Sequence, residues 1–163
     1  MNLIVAVSDN WGIGYKNNLL FLVPADMKFF RETTKDSVVI MGRKTLESFP
    51  GKKPLKNRVN IVLTNNFDYN VEDTIICHSV SNAIENAKKY NKEVFVIGGE
   101  AIYREFLPFC KKAYVTKIHA NSEADSFFPN LDENPDWKLE RTSETFADNG
   151  YKFEFTEYIN FRL

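Results

Sequence analysis

Four places in the sequence gather residue types that could do chemistry. The first is Asp26, two positions after Pro24 in the segment LFLVPADMKFF. A proline suits the opening turn of a helix, so Asp26 falls within that turn. An acid there complements the helix dipole and needs no further role. Yet Leu22, Val23, Ala25, Met27, Phe29 and Phe30 around it are all apolar. A carboxylate desolvated by such neighbours holds its proton to higher pH. It then suits pairing with the N–H edge of a heterocycle and assisting a proton transfer. The second and third places are glycine turns, Gly42-Arg43-Lys44-Thr45 and Gly98-Gly99-Glu100-Ala101, each following a run of apolar residues. Glycine lets backbone approach a ligand, and the N–H groups opening a helix attract a phosphate. A plain strand-to-helix turn with a solvated basic pair is the competing reading of the first, and a tight turn needing a glycine that of the second. The fourth is Arg58, alone between a polar loop and the run NIVL. It is either a solvated loop residue or a two-pronged clamp for a carboxylate, with Arg31 one and a half turns beyond Asp26 available beside it.

These residues need elements to place them. Leu3–Val7, Val38–Met41, Asn60–Thr64, Thr74–Cys77 and Glu93–Ile97 are short apolar runs of the kind that become strands buried on both faces. Helical spacing follows Pro24, Gly42, Val80 and Glu100. Residues 8–23 and 50–57 read as loops. Ala113–His119, Trp137–Phe146 and Tyr151–Ile159 alternate with period two, and Asp148-Asn149-Gly150 signals a turn between the last two. Strands alternating with helices predict an α/β chain. The sheet is central, eight-stranded and mainly parallel, with an antiparallel C-terminal hairpin at one edge and about four flanking helices. Ligands of such a sheet sit beyond the carboxyl ends of its strands, which points to the residues after Val7, Met41, Leu63, Ile97 and Ile118.

Composition agrees and excludes other classes. The 163 residues suit a single domain spanning 1–163, with 44% hydrophobic and 26% charged residues. Cys77 and Cys110 have no CxxC spacing, and His78 and His119 are the only histidines, which leaves zinc and disulfide frameworks unsupported. No run of 18 apolar residues exists and the N-terminus lacks a basic leader, so a soluble cytoplasmic chain without membrane partners is expected. The net charge of -1 argues against a nucleic-acid coat. It conceals asymmetry: residues 1–58 hold ten Lys or Arg against five Asp or Glu, and residues 59–163 hold eleven against seventeen.

Six segments in order and spacing then resemble bacterial dihydrofolate reductase. They are Ile13-Gly14; Asn17 through Asp26; Val39-Ile40-Met41-Gly42-Arg43-Lys44-Thr45 with Ser48; Arg58 with Asn60 to Thr64; Val96-Ile97-Gly98-Gly99 with Ile102-Tyr103; and Asp125 with Phe128-Pro129. The resemblance implies NADPH-dependent reduction of 7,8-dihydrofolate to tetrahydrofolate, with hydride passing to pterin C6 and a proton to N5. It implies a monomer open to antifolate inhibitors. Asp26 would hold the pterin 2-amino group and N3 and promote N5 protonation. Thr116 would support it, and Leu19 of the 8–23 lid would complete the catalytic set. Ile4, Val5, Ala6, Met27, Phe30, Phe49, Leu55, Ile97 and Tyr103 would wall the substrate, and Arg58 with Arg31 would clamp its glutamate. For NADPH, Ala6, Ile13, Gly14, Asn17 and Leu19 would meet the nicotinamide half. Gly42, Arg43, Lys44, Thr45, Leu63, Thr64 and His78 would hold one phosphate side. Ile97, Gly98, Gly99, Glu100, Ala101, Ile102 and Tyr103 would line the other, with the Gly-Gly bond cis. The chain departs from most bacterial relatives in having Leu20-Phe21 for Pro-Trp, from some in having Ala101 for Arg, and has Ala124 for a common Gly. Another pyridine-nucleotide reductase of this fold has no use for Arg58, and a non-catalytic nucleotide-binding module would not turn over.

Overall fold

The computed structural model describes residues 1–163. In chain order the strands are β1 (Asn2–Val7), β2 (Gly12–Tyr15), β3 (Asn18–Leu19), β4 (Val38–Gly42), β5 (Val59–Leu63), β6 (Ile75–Cys77), β7 (Val94–Gly98), β8 (Lys112–Ile118), β9 (Ser126–Phe127), β10 (Trp137–Thr142), β11 (Phe146–Asp148) and β12 (Tyr151–Asn160). The helices are α1 (Pro24–Thr34), α2 (Arg43–Glu47), α3 (Val80–Lys88) and α4 (Glu100–Phe106). The main sheet runs β10-β12-β8-β1-β7-β4-β5-β6, with β11 paired to β12. From β8 to β6 every pairing is parallel, and β12 joins β8 and β10 antiparallel.

Each parallel strand divides its side chains between two apolar layers, as a pleat of period two requires. Leu3, Val5, Val7, Val38, Ile40, Ile61, Leu63, Val94 and Val96 share a cluster of 22 buried residues with Ala83 and Ala87 of α3 and Tyr103 and Phe106 of α4. Ile4, Val39, Met41, Val62, Phe95 and Ile97 face the other way, toward Leu46 of α2 and Phe29 and Phe30 of α1. Helices thus cover both faces, which is why these strands read as unbroken apolar runs. No helix is long and apolar enough to cross a membrane. Cys77 and Cys110 are buried free thiols.

Two expectations need correction. Residues 8–23 are not simply loop: β2 and β3 form a hairpin whose turn residues Lys16 (φ 49°) and Asn17 (φ 62°) are both left-handed, and β9 pairs along its other edge. The hairpin has no apolar alternation, since Gly12 and Gly14 lie in it because space is short. A Cβ at Gly12 would stand 2.9 Å from the methyl of Ala124, and one at Gly14 would stand 2.9 Å from Ser126 Oγ. The strand expected over Trp137–Phe146 is also two strands: β10 pairs with β12 as far as Thr142, with a register shift inside it between Leu139 and Arg141, and β11 begins a separate ladder at Phe146.

Candidate active site

Helix α1 opens on Pro24, whose missing N–H is one of the donors a helix start leaves unpaired anyway. Val23 offers no side-chain cap, but its carbonyl accepts from Asp26 N at 3.0 Å and Met27 N at 3.1 Å. The Asp26 carboxyl then faces β8, where Thr116 Oγ1 donates to Oδ1 at 2.6 Å. Burial pushes this carboxyl above the usual carboxylate range, and the Thr116 hydrogen bond only partly opposes it. Tyr103 of α4 is buried, and its hydroxyl donates to the Ile4 carbonyl at 2.8 Å. Burial and the nearby charge of Asp26 push that phenol well above its ordinary range, so it remains a donor. The pair expected from the sequence, Asp26 with Thr116, is therefore joined across 90 residues of chain.

The apolar walls assemble around this pair. Ile4 and Ile97 lie in the layer beneath α1 and α2, with Phe30, Phe49 and Leu55 packed on it half-buried. Ala6 joins Phe21 and Ala25 around Val23, Ile118 and Phe153. Met27 is 41% exposed, leaving its side chain free to meet a ligand. One side-chain assignment is not carried. Val5 points to the opposite layer with Tyr103 and Val7, because the pleat alternates, so only its backbone can serve a substrate. Leu19, 72% exposed on β3 and outside the apolar clusters, is like Met27 free to meet a ligand.

Arg58 sits at the far end of α1. Its Nε donates to Thr34 Oγ1 at 3.1 Å, Nη1 to the Lys56 carbonyl at 2.8 Å and Nη2 to the Arg31 carbonyl at 3.1 Å. Three of five donors are committed, and the fork is held in place with the others unspent. Burial and the Arg31 charge push its pKa below the ordinary guanidinium value, an arrangement that a bound carboxylate would relieve. Arg31 is exposed with no carboxylate partner. Asn60, unassigned from sequence, shapes the approach: its buried amide accepts from Leu55 N at 3.0 Å and donates to the Leu55 carbonyl at 2.9 Å. An amide inside an apolar strand was the available signal, since a buried polar group needs partners.

The two glycine turns lie side by side. Strands β4 and β7 are neighbours, Met41 is opposite Gly98, and a Cβ on Gly42 would lie 4.0 Å from the Gly98 carbonyl. The Gly98-Gly99 peptide is cis. Gly98 has φ +119°, and a Cβ there would meet the Tyr103 ring at 3.2 Å. Gly42 needs its bare Cα because Ile102 Cγ1 would lie 3.1 Å from a Cβ. Gly42 and Gly99 are the N-cap positions of α2 and α4, and neither helix start has a side-chain cap. Helix-start amides without a side-chain cap are the kind of group that can receive an anion. Thr45 Oγ1 would lie 3.7 Å from a Cβ on Gly99, between the two turns.

Charged residues here have divided commitments. Arg43 Nη1 pairs with Glu47 Oε1 at 2.8 Å, whereas Lys44 is exposed and unpaired. The lid touches this turn through Asn17 Nδ2, which donates to the Lys44 carbonyl at 3.2 Å. Glu100 accepts from Phe127 N at 2.5 Å, fastening α4 to β9 and hence to the lid hairpin. Ala101 beside it is exposed. Beyond Leu63, the carbonyl of Thr64 lies 2.7 Å from His78 Nδ1, and the exposed Phe67 ring packs 4.2 Å from the His78 ring. The lid is also anchored by Asp125, whose Oδ2 accepts from Lys16 N at 2.9 Å. Ile13 packs on the large layer and Gly14 is buried.

Comparison with known proteins agrees with this geometry. Residues 1–160 match the family model described as dihydrofolate reductase. The dihydrofolate reductase of Buchnera aphidicola is 40% identical over 158 residues, covering 94% of this chain and 96% of the relative. That of Staphylococcus haemolyticus is 38% identical over 166 residues, covering 99% and 96%. A solved structure of the Enterococcus faecalis enzyme, complexed with NADP(H) and RAB-propyl, superposes with a TM-score of 0.88 at 36% identity, covering 98% of this chain and 95% of that one. The chain belongs to the dihydrofolate reductase family.

Proposed function

We propose that this chain, as a single-domain monomer in the cytoplasm, reduces 7,8-dihydrofolate to tetrahydrofolate with NADPH. The observation that carries the reading is the half-buried Asp26 carboxyl on Thr116 Oγ1, beside the two uncapped glycine turns. Those turns fit a dinucleotide phosphate group: backbone amides stand open where side chains at Gly42 and Gly98 would intrude. Arg43, Lys44, Thr45, Thr64 and His78 would hold the phosphate and ribose side. Gly98 to Ile102 would line the second turn, and Ala6, Ile13, Gly14, Asn17 and Leu19 would meet the nicotinamide half. NADPH, when bound, supplies the hydride that reduces pterin C6.

Asp26 pairs with the pterin 2-amino group and N3, using the oxygen that Thr116 leaves free. Its burial favours the protonated side of its equilibrium, which promotes proton arrival at N5 through water. Phe21 stands where most relatives have an indole donor, so that water depends more on Asp26 itself. Ile4, Met27, Phe30, Phe49, Leu55 and Ile97 exclude bulk solvent around the ring, and Arg58 clamps the glutamate α-carboxylate. Antifolates with a diamino heterocycle would occupy the same Asp26 contact. The test follows NADPH absorbance with and without dihydrofolate, for the wild type and for Asp26→Asn. Dihydrofolate-dependent oxidation, reduced at least a hundredfold at neutral pH in the variant, is expected on the order of acid–base contributions of 10²–10⁴. Normal turnover by Asp26→Asn removes the assignment.

A further inference from the structure

The start of α1 lacks one hydrogen-bond acceptor of its own. Pro24 has no N–H, and Asp26 N and Met27 N both use the Val23 carbonyl. Ala25 N has no acceptor within the segment, and Val23 has no polar side chain to supply one. The partner comes from 123 residues later: Asp148 Oδ2 accepts from Ala25 N at 2.8 Å. Asp148 ends β11 and is followed by Asn149 (φ 50°) and Gly150 (φ 83°), two left-handed residues of the kind that close a tight hairpin. The hairpin pairs Asp148 with Tyr151 and Ala147 with Lys152, and β12 continues along β8 with Phe155 opposite Thr116. The backbone beside Asp26 is therefore held from β11 and its carboxylate from β8, and both strands are fastened to β12.

We propose that Asp148 is a positioning residue for the reduction, capping α1 from outside the helix and setting where Asp26 stands. The inference rests on the reading of Asp26 as the group that contacts the pterin. A water could satisfy the Ala25 amide but could not fix its place relative to Thr116. The test measures the single-turnover hydride-transfer rate, the KM for dihydrofolate and hydrogen exchange at the Ala25 amide. Asp148→Ala is expected to slow hydride transfer about fivefold to tenfold, since small displacements of a reacting group are costly, with KM changed less than about twofold and faster exchange at Ala25. Asp148→Asn keeps an acceptor oxygen and is expected to recover most of the rate. Hydride transfer in Asp148→Ala equal to wild type overturns the proposal, as does an equal loss in both variants. Asp26→Asn is run alongside: normal turnover there removes the reading of Asp26, whereas its loss with Asp148→Ala unaffected removes the cap alone.

Discussion

Replacing Thr116 with Val removes the hydroxyl that reaches Asp26 Oδ1 at 2.6 Å and keeps nearly the same volume at a position 3% exposed. Two influences set the acidity of Asp26: burial raises its pKa and the Thr116 hydrogen bond lowers it. The variant keeps only the first. A hydrogen bond to a charged group contributes about 1.5–3 kcal/mol, so the ionisation equilibrium of Asp26 should shift roughly tenfold to a hundredfold toward the protonated form. Two consequences have definite signs. The alkaline fall in hydride-transfer rate should move to higher pH, because the carboxyl keeps its proton longer. Stability should also change with pH. A carboxyl whose folded pKa lies above its unfolded value of 3.8 contributes its stabilisation fully below that value and loses it as pH rises through the folded pKa. Thr116→Val widens that window. The variant should be less stable than the wild type by about 1.5–3 kcal/mol at neutral pH, with a much smaller difference below about pH 4. Stopped-flow transfer from pH 5 to 9, with urea melts at neutral pH and below about pH 4, measures this. An unmoved or acid-shifted alkaline limb refutes the role of Thr116 in tuning Asp26, and a pH-independent stability loss reduces Thr116 to packing.

Other substitutions probe separate parts of the site. Asp26→Asn removes the desolvated charge, so the variant that loses turnover should melt higher than wild type at neutral pH, with the gain fading toward pH 4; a lower melting point at neutral pH contradicts the sign. Gly98→Ala forces a side chain onto φ +119° and against the Tyr103 ring, and should cost about 1–3 kcal/mol, read as a drop of several degrees in Tm; an unchanged Tm would show that the turn has slack. Arg58→Ala should raise the KM for dihydrofolate about tenfold or more and leave a pterin substrate without glutamate unaffected; equal effects on both would place Arg58 in the scaffold. Arg43→Ala and Lys44→Ala should each narrow the preference for NADPH over NADH, most at low salt, and a salt-independent preference would argue against a charge contact.

The strands were legible because burial on both faces writes itself as an unbroken apolar run, as in LIVAV and VVIM. The helix starts at Pro24, Gly42 and Gly99 were legible from local chemistry alone. Asp26 was visible as an acid among apolar neighbours, but its environment depends on Thr116, 90 residues away, and no local pattern encodes that distance. The lid hairpin was missed because GIGY pairs through backbone while glycines clear space for Ala124 and Ser126, leaving no alternation to detect. Val5 came to the substrate wall with the family resemblance, although adjacent strand residues such as Ile4 and Val5 face opposite layers. Asp148 was legible only as part of a turn, since its value to α1 arises only when the last hairpin folds against the first helix.

Strand β12 is the last strand in chain order, yet it occupies an interior place in the sheet, hydrogen-bonded to β8 on one side and to β10 and β11 on the other. Its Phe153 and Tyr158 are fully buried. On a translating ribosome the parallel strands from β1 to β8 emerge first, but the flank of β8 that carries Thr116 stays an open edge until β12 arrives. Open edges of that kind recruit other chains. There is therefore a stage of synthesis at which most of the sheet strands are out while β11 and β12, which hold the start of α1 and the outer side of β8, are not. Shielding of that edge by a chaperone would bear on yield of active enzyme far more than on the stability of the finished fold.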